Sequence, residues 1–467
     1  MIRKFVNRKS ELSFLEERWK SNKFELIVIY GRRRIGKTEL IKQFIKDKPN
    51  IYFLCDKRGT FDNISRFKKQ ISKFLQKPII ATNDLEEIFD YLLRETKGKR
   101  IVVIFDEFSY LVEKDDSIPS VFQRAVDNLL RNSNMFLILC GSSMSMMEIG
   151  VLSGKSPLYG RKTGHIKLEK LPFYSYFEFY PKNKIEKNIE FYAITGGIPF
   201  YMEKFSENRS TFENVKKEIA SKNGRLFEEI DFLLREEFRE PEVYKKIIEA
   251  ISFGNSRTVN ISNYTGISAN KLWKYLNSLI NLRIVGKDCP ITEKKIKTKK
   301  TIYFIKDNFF DFYMAFVEPF KSDLMIDELF DFENNFKKNF NQFVGKKFEK
   351  LVREELVRII FRNRFGKFGR WWQKDKEIDV VALNELEKKI LFVECKWKNK
   401  VNVDDILSKL IEKAKDVRWY NEKREEFFCI FAKSFKRKIE EFKGRKVYCF
   451  DLEDLTKIFH YQKKRND

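Results

Sequence analysis

The chain has 467 residues, 93 Lys+Arg against 68 Asp+Glu and a formal net charge of +25. That length suits about three domains, and no apolar run approaches the ~18 residues of a bilayer crossing, so no membrane span is expected. The opening Met1-Ile2-Arg3-Lys4 lacks the apolar core of a secretion signal, the six cysteines form no Cys-x-x-Cys pair, and the only histidines are His165 and His460; the reading is a reduced, cytoplasmic protein without a zinc site.

Along residues 1–170, apolar strands alternate with amphipathic helical stretches. Phe24–Tyr30, Asn50–Cys55, Arg100–Phe105, Met135–Cys140 and His165–Leu168 are predicted strands; Glu39–Lys46, Asp84–Thr96 and Pro119–Arg131 are predicted helices. This alternation predicts a parallel sheet flanked by helices. After the first strand stands Gly31-Arg32-Arg33-Arg34-Ile35-Gly36-Lys37-Thr38, a G-x-x-x-x-G-K-[ST] string that opens a helix, the context this motif requires. Gly31 and Gly36 let the backbone wrap a phosphate closely. The amides of Arg34, Ile35, Gly36, Lys37 and Thr38 then point inward at a helix N-terminus, where the dipole favours negative charge. Lys37 is expected to reach the β- and γ-phosphates of ATP, and Thr38 to offer its hydroxyl to Mg2+.

The strand Ile101–Phe105 runs into Asp106-Glu107. Acids at the carboxyl end of a buried parallel strand emerge beside such a loop, Asp106 to hold Mg2+ and Glu107 to orient the attacking water. Ser142, after the next strand, suits either a γ-phosphate sensor or an N-cap for the helix that follows. Arg161, in Ser156-Pro157-Leu158-Tyr159-Gly160-Arg161, suits either an ordinary surface position or an arginine finger acting in a neighbouring subunit of a homo-oligomer.

Residues 171–240 are predicted to be mostly helical, broken by Thr195-Gly196-Gly197-Ile198-Pro199. From 241 to 320 the pattern is helix, Gly266 turn, a second helix (Ala269–Leu282) and a hairpin with Lys294, Lys295, Lys297, Lys299 and Lys300. That is the order of a winged helix-turn-helix. Leu272, Tyr275, Leu276 and Leu279 make one apolar face of the second helix, leaving Asn270, Lys271 and Lys274 for DNA. The net charge likewise predicts a nucleic-acid partner, DNA before RNA, ahead of an acidic membrane surface.

Residues 335–467 form a third predicted unit. From 341 onward it holds 33 Lys+Arg against 22 Asp+Glu, a net +11. The paired strands Glu377–Leu383 and Lys389–Cys395 carry Asp379 on one and Glu394 with Lys396 on one face of the next. Two carboxylates and a lysine so placed suit a divalent metal, activated water and an in-line phosphoryl intermediate. The helix Lys346–Leu356 offers Glu349 as a further metal ligand. Five Glu-x-Lys strings occur in the chain, so strand context, not the string, singles this one out. Trp371 and Trp372 suit core packing better than base stacking.

FVNRKSEL at 5–12, GRRRIGKTEL, VVIFDEF, GSSMSMM, SPLYGRKTG and TGGIPFY occur in that order. Together they resemble the archaeal ATPase family, relatives of AAA+ and origin-recognition ATPases. The resemblance implies that Phe5–Arg8 lie near the adenine, that the TGGIPFY region belongs to a helical lid, and that Arg161 acts as a finger. Lys9 replaces the family's usual acid. GKKFEKLV, GRWWQKDKEIDVVAL and FVECKW resemble the PD-(D/E)xK restriction-endonuclease-like domain that ends many of these proteins, with Asp379, Glu394 and Lys396 at its core positions. The expected fold class is α/β: a P-loop, AAA+-like parallel sheet (1–170) with a helical lid (171–240), a winged helix-turn-helix (241–320) and a nuclease-like α/β domain (335–467). The expected activity is ATP hydrolysis coupled to DNA binding and metal-dependent cleavage; the alternative is a nucleotide-controlled switch or scaffold that cuts nothing.

Overall fold

β1 (Glu25–Tyr30), β2 (Asn50–Leu54), β3 (Val102–Asp106), β4 (Phe136–Gly141) and β5 (Gly164–Lys167) open a computed structural model that describes residues 5–293 and 300–466, without the side chains of Ser145, Arg465 and Asn466. Lys294, Lys295, Lys297 and Lys299 of the expected hairpin lie outside the described residues. Contacts divide the chain into two compact units, Met1–Leu171 with Ile198–Phe200, and Pro172–Gly197 with Tyr201–Asp467.

In the first unit the five strands pair in parallel in the order β2-β3-β4-β1-β5. β1, β3 and β4 are buried along their whole length, as β-branched and aromatic strands covered on both faces must be. The helices include Lys9–Lys20, Lys37–Ile45, Thr60–Leu75, Leu85–Thr96 and Ile118–Asn128. Asp84 starts the fourth of these: its carboxylate accepts the Glu86 and Glu87 amides at 2.7 and 3.2 Å, an N-cap worth ~1 kcal/mol. Phe53, Phe67 and Phe122 pack around Phe105 at ring separations of 4.7–5.8 Å, so the aromatic excess is core filling here. Because the strands are parallel, the loop after β1 and the ends of β3 and β4 meet at one edge of the sheet.

The second unit begins with helices, among them Ile185–Thr195, Thr211–Glu218 and Glu229–Glu237. Pro241–Ser252, Thr258–Thr265 and Ala269–Asn281 follow, then the antiparallel pair β6 (Val285–Asp288) and β7 (Ile302–Ile305). In the third of these helices Leu272, Leu276 and Leu279 are buried, Tyr275 is half-buried, and Asn270, Lys271 and Lys274 are exposed. Ile291, beyond β6, is buried in one apolar cluster with Trp371 and Ile378, and its amide donates to the Arg370 carbonyl at 2.9 Å.

The long helix Phe330–Leu351 continues through a π-turn (Val352–Leu356) into Val357–Phe361. Then come β8 (Lys367–Gln373), β9 (Lys376–Asn384), β10 (Lys389–Lys396), the helix Val403–Lys415, β11 (Glu425–Ala432), β12 (Glu441–Phe442) and β13 (Arg445–Phe450). The sheet order is β12-β13-β11-β10-β9-β8. β8, β9 and β10 are antiparallel neighbours, while β10, β11 and β13 run parallel. Trp371 is buried in this sheet's core and Trp372 is half-buried, with Arg370 5.8 Å from its ring centroid. No helix among the described residues is long and apolar enough to cross a membrane.

Candidate functional site

The loop after β1 is shaped by its two glycines. A Cβ at Gly31 would fall 2.6 Å from both Ile35 Cδ1 and the Leu168 carbonyl oxygen, so only glycine permits this close approach. Gly36 adopts φ +91° at the start of helix Lys37–Ile45, a conformation that side chains disfavour; the nearest atom to a Cβ there is Pro199 Cγ at 4.0 Å, which leaves room above the loop. Lys37 Nζ donates to the Gly31 and Arg32 carbonyls at 2.9 and 3.2 Å, so its ammonium lies across the loop's mouth. Arg34 takes φ +74° and lays its guanidinium 4.0 Å from the Phe200 ring centroid, while Ile35 is buried. Arg8, from the segment expected near the adenine, donates to the Ile35 and Glu169 carbonyls.

Thr38 Oγ1 donates to Asp106 Oδ2 at 2.9 Å. The same oxygen accepts a short hydrogen bond from the Tyr52 hydroxyl on β2, a partner that sequence reasoning missed. Burial first, and then the Asp106 charge, raise the Tyr52 pKa, so the hydroxyl stays protonated and donates. Glu107 sits at φ +54° directly after β3; its carboxylate accepts the Ser142 hydroxyl at 2.7 Å and the Ser142 amide at 3.2 Å. Ser142 is 1% exposed. Its structural partner is thus the acid at the neighbouring strand end. An ammonium, a row of loop amides, a hydroxyl and a carboxylate converge here, a donor set that fits a triphosphate with Mg2+.

Arg161 forms a two-pronged ion pair with Asp127, Nη2 at 2.9 Å and Nε at 3.2 Å, and both side chains are about 30% exposed. This hydrogen bonding holds the Asp127 carboxyl below the ordinary carboxylate range. A half-exposed pair contributes at most ~1 kcal/mol, small enough for the arginine to leave. With Arg161 as the finger that the family resemblance implies, Arg161→Ala is expected to lower ATP turnover by ~10²-fold with nucleotide affinity unchanged. Mixing it with Glu107→Gln protein should recover activity if the finger works across subunits. A steady-state assay with nucleotide titration checks both, and unchanged turnover returns Arg161 to a surface pair with Asp127.

In the second unit Asp379 stands one step beyond the Val380–Val393 pair, opposite Glu394. Asp379 Oδ2 accepts the Cys395 amide at 2.8 Å. Glu394 is 6% exposed and takes Lys396 Nζ at 2.7 Å. From helix Val403–Lys415, Lys413 Nζ lies 3.2 Å from both Glu394 oxygens, a contact the sequence did not announce because it comes from 19 residues away. Burial, then the Glu394 and Glu349 charges, push the Asp379 carboxyl up to about 8. Burial and Glu377 raise Glu349 likewise. Burial acts to lower Lys396, but Glu394 and Asp379 hold its pKa above the ordinary lysine value. Burial and mutual repulsion thus favour the protonated forms of Asp379 and Glu349. Among the described residues no three acids, histidines or cysteines converge closely enough to hold a metal, and the lysines now carry the positive charge beside Glu394.

Residues 5–205 match a domain model described as an ATPase domain predominantly from Archaea. Residues 313–427 match one described as "Archaea bacterial proteins of unknown function". The chain is 41% identical over 458 residues to the uncharacterized protein MJECL04 of Methanocaldococcus jannaschii, across 97% of this chain and all of that one. It is 64% identical over 44 residues to the uncharacterized ATP-binding protein MJ0423 of the same organism, across 9% of this chain and 75% of that one. Among solved structures, the Walker-type ATPase paby2304 of Pyrococcus abyssi shares the fold at a TM-score of 0.50 and 22% identity, across 66% of this chain and 96% of that one.

Proposed function

The chain belongs to the family of its Methanocaldococcus relative and carries an archaeal ATPase domain, and we propose that it couples Mg2+-dependent ATP hydrolysis to action on DNA. The first unit is the ATPase domain. Lys37 binds the β- and γ-phosphates, Thr38 and Asp106 would hold Mg2+, and Tyr52 fixes the Asp106 carboxylate. Bound Mg2+ supplies charge neutralisation on the phosphates. Glu107, held by Ser142, orients the attacking water, and Arg161 meets the charge that develops on the transferred group. One observation carries this reading: Thr38 with Asp106 and Ser142 with Glu107 form hydrogen-bonded pairs at the edge where the phosphate loop opens.

For the second unit we read three helices followed by an antiparallel pair as a winged helix-turn-helix. Its Lys294, Lys295, Lys297, Lys299 and Lys300 meet phosphates, fixing position without reading sequence. Replacing all five by Ala is expected to weaken binding to every DNA sequence alike, each lost contact flattening the log-log salt dependence by ~0.9. Anisotropy titrations from low to moderate salt check this, and an unchanged slope would turn the lysines toward a protein partner.

The succession helix, β8, β9, β10, helix, β11, with Asp379, Glu394 and Lys396 at adjoining strand positions, supports a nuclease-like domain that cuts DNA with a divalent metal. A second reading, a nucleotide-controlled binding switch, is favoured by the double lysine hold on Glu394. ATP turnover and nucleic-acid cleavage measured together, across DNA and RNA forms, separate the two.

A further inference from the structure

From Ala250 to Lys287 the chain contains no Asp or Glu, although 68 of its 467 residues are acidic. At the chain's average density about five would be expected. The same stretch carries Arg257, Lys271, Lys274, Arg283 and Lys287, with amide and hydroxyl side chains between them. Arg257, Lys271 and Lys274 are exposed and make no ion pair among the described residues. These cations stand on or beside the helices Thr258–Thr265 and Ala269–Asn281, and from outside the stretch Glu249 accepts the Tyr264 hydroxyl and Glu240 the Tyr275 hydroxyl, each at 3.1 Å.

An indole stands out within this stretch. Trp273, between the two lysines, is 59% exposed and makes no aromatic or cation contact among the described residues. Asn270, Trp273 and Lys274 share one helix face by their i, i+3, i+4 spacing. Val259 and Tyr264, on the preceding helix, are exposed as well. A large flat ring left in water is an unrealised gain in burial. In a duplex the faces of the bases are stacked on one another, and the grooves present only their edges, to which an indole brings a single N–H donor. An unpaired base, by contrast, offers a whole π-face, and flanking cations suit the adjoining phosphates.

We propose that Trp273, with Asn270 and Lys274 on the same helix face, forms a stacking surface for nucleic acid that contains unpaired bases. The indole stacks on a base, and Lys274 beside it holds an adjoining phosphate, while Lys271 on the other flank of the helix adds to the cationic field. This deepens the DNA-binding reading above and rests on it. A protein partner covering the same surface would need acids opposite the cations, and is the competing outcome.

The test uses the full chain and three labelled DNAs of one sequence: a duplex, its single strand, and the duplex interrupted by a short unpaired bubble. Trp273→Ala should weaken binding to the single strand and the bubble by about 5- to 100-fold. Duplex affinity should stay within about twofold, and Trp273→Phe should regain most of the loss because a ring is restored. The salt slope should not move for either tryptophan variant, whereas Lys271→Ala with Lys274→Ala should flatten it on every form. Circular dichroism and thermal melts of the full chain, unchanged in all of them, report that the variants fold. If the parent binds DNA and Trp273→Ala weakens all three forms equally, or none, the stacking surface is wrong and the DNA reading stands. If the parent binds no form, both the stacking surface and the DNA reading fall.

Discussion

Lys37→Ala is expected to abolish tight ATP binding, while Glu107→Gln keeps ATP bound and stops its turnover. The Lys37 ammonium already lies across the loop mouth on the Gly31 and Arg32 carbonyls, so a phosphate entering there meets a charge in place. Removing one side of such a charge pair costs ~2–5 kcal/mol, about 30- to 5,000-fold in affinity. Glu107 makes its contacts differently. It accepts both the Ser142 hydroxyl and amide, and a glutamine amide oxygen can accept them too, so the local structure should persist. What the proposed role would lose is the carboxylate that orients and deprotonates water, worth ~10²–10⁴-fold in rate. Nucleotide titration beside single-turnover hydrolysis separates the two effects. Equal loss of binding in both variants would overturn the division of labour.

The second large effect concerns the acids of the C-terminal sheet. The parent chain with Mg2+ or Mn2+ is expected to nick DNA. Asp379→Ala and Glu394→Ala should lose metal and cleavage together, because each removes a carboxylate from the proposed metal site. Lys396→Ala should keep the metal and lose cleavage, since in the proposed reaction its ammonium would serve the nucleophile or the phosphate. Glu349 would add or orient a further ligand. DNA affinity should survive all three changes, because the net +11 of residues 341–467 remains nearly intact.

A pH dependence follows from the same site. Asp379, pushed up to about 8 by burial and its acidic neighbours, must release a proton to bind metal. Metal affinity should therefore rise about tenfold per pH unit below that value and level off above it. Without metal the sign is reversed for stability: between about pH 4 and 8 the folded chain binds more protons at this residue than the unfolded one, so stability falls as pH rises. Asp379→Asn removes that slope. Calorimetric metal titration, thermal melts and a plasmid-nicking assay over one pH series test the set. A parent that nicks no DNA form and takes up no metal at this site makes the domain a binding module.

The phosphate loop and the Asp106-Glu107 pair are legible in the sequence because their chemistry demands fixed residue types at short spacing. The parallel sheet is legible because buried strands leave bare apolar runs, and Asp84 announces the helix it caps. Tyr52, Asp127 and Lys413 are not legible in this way. Each meets its partner through strand register or helix packing across tens of residues, and no local pattern marks a tyrosine that will grip Asp106. Ser142 is visible as a polar residue at a strand end, but its hold on Glu107 depends on Glu107 taking a left-handed backbone conformation. The helix Thr60–Leu75, absent from the expected elements, is nonetheless legible, because Ile64, Phe67, Ile71 and Phe74 recur at helical spacing. β8, by contrast, is hidden: Lys367, Gly369 and Arg370 precede its buried Trp371, so no clean alternation appears.

Ile291 carries a consequence for how this protein can be divided. It leaves β6, yet it completes the apolar cluster of the C-terminal sheet beside Trp371 and Ile378, with its amide fixed to the Arg370 carbonyl. A gene fragment beginning after residue 320 would encode that sheet with a hole where a buried branched side chain belongs, a defect of ~2–5 kcal/mol against a domain stability of ~5–15. The same cut would leave the upstream fragment with an exposed isoleucine. Cutting the chain between residues 291 and 320 therefore carries a stability cost on both sides of the cut.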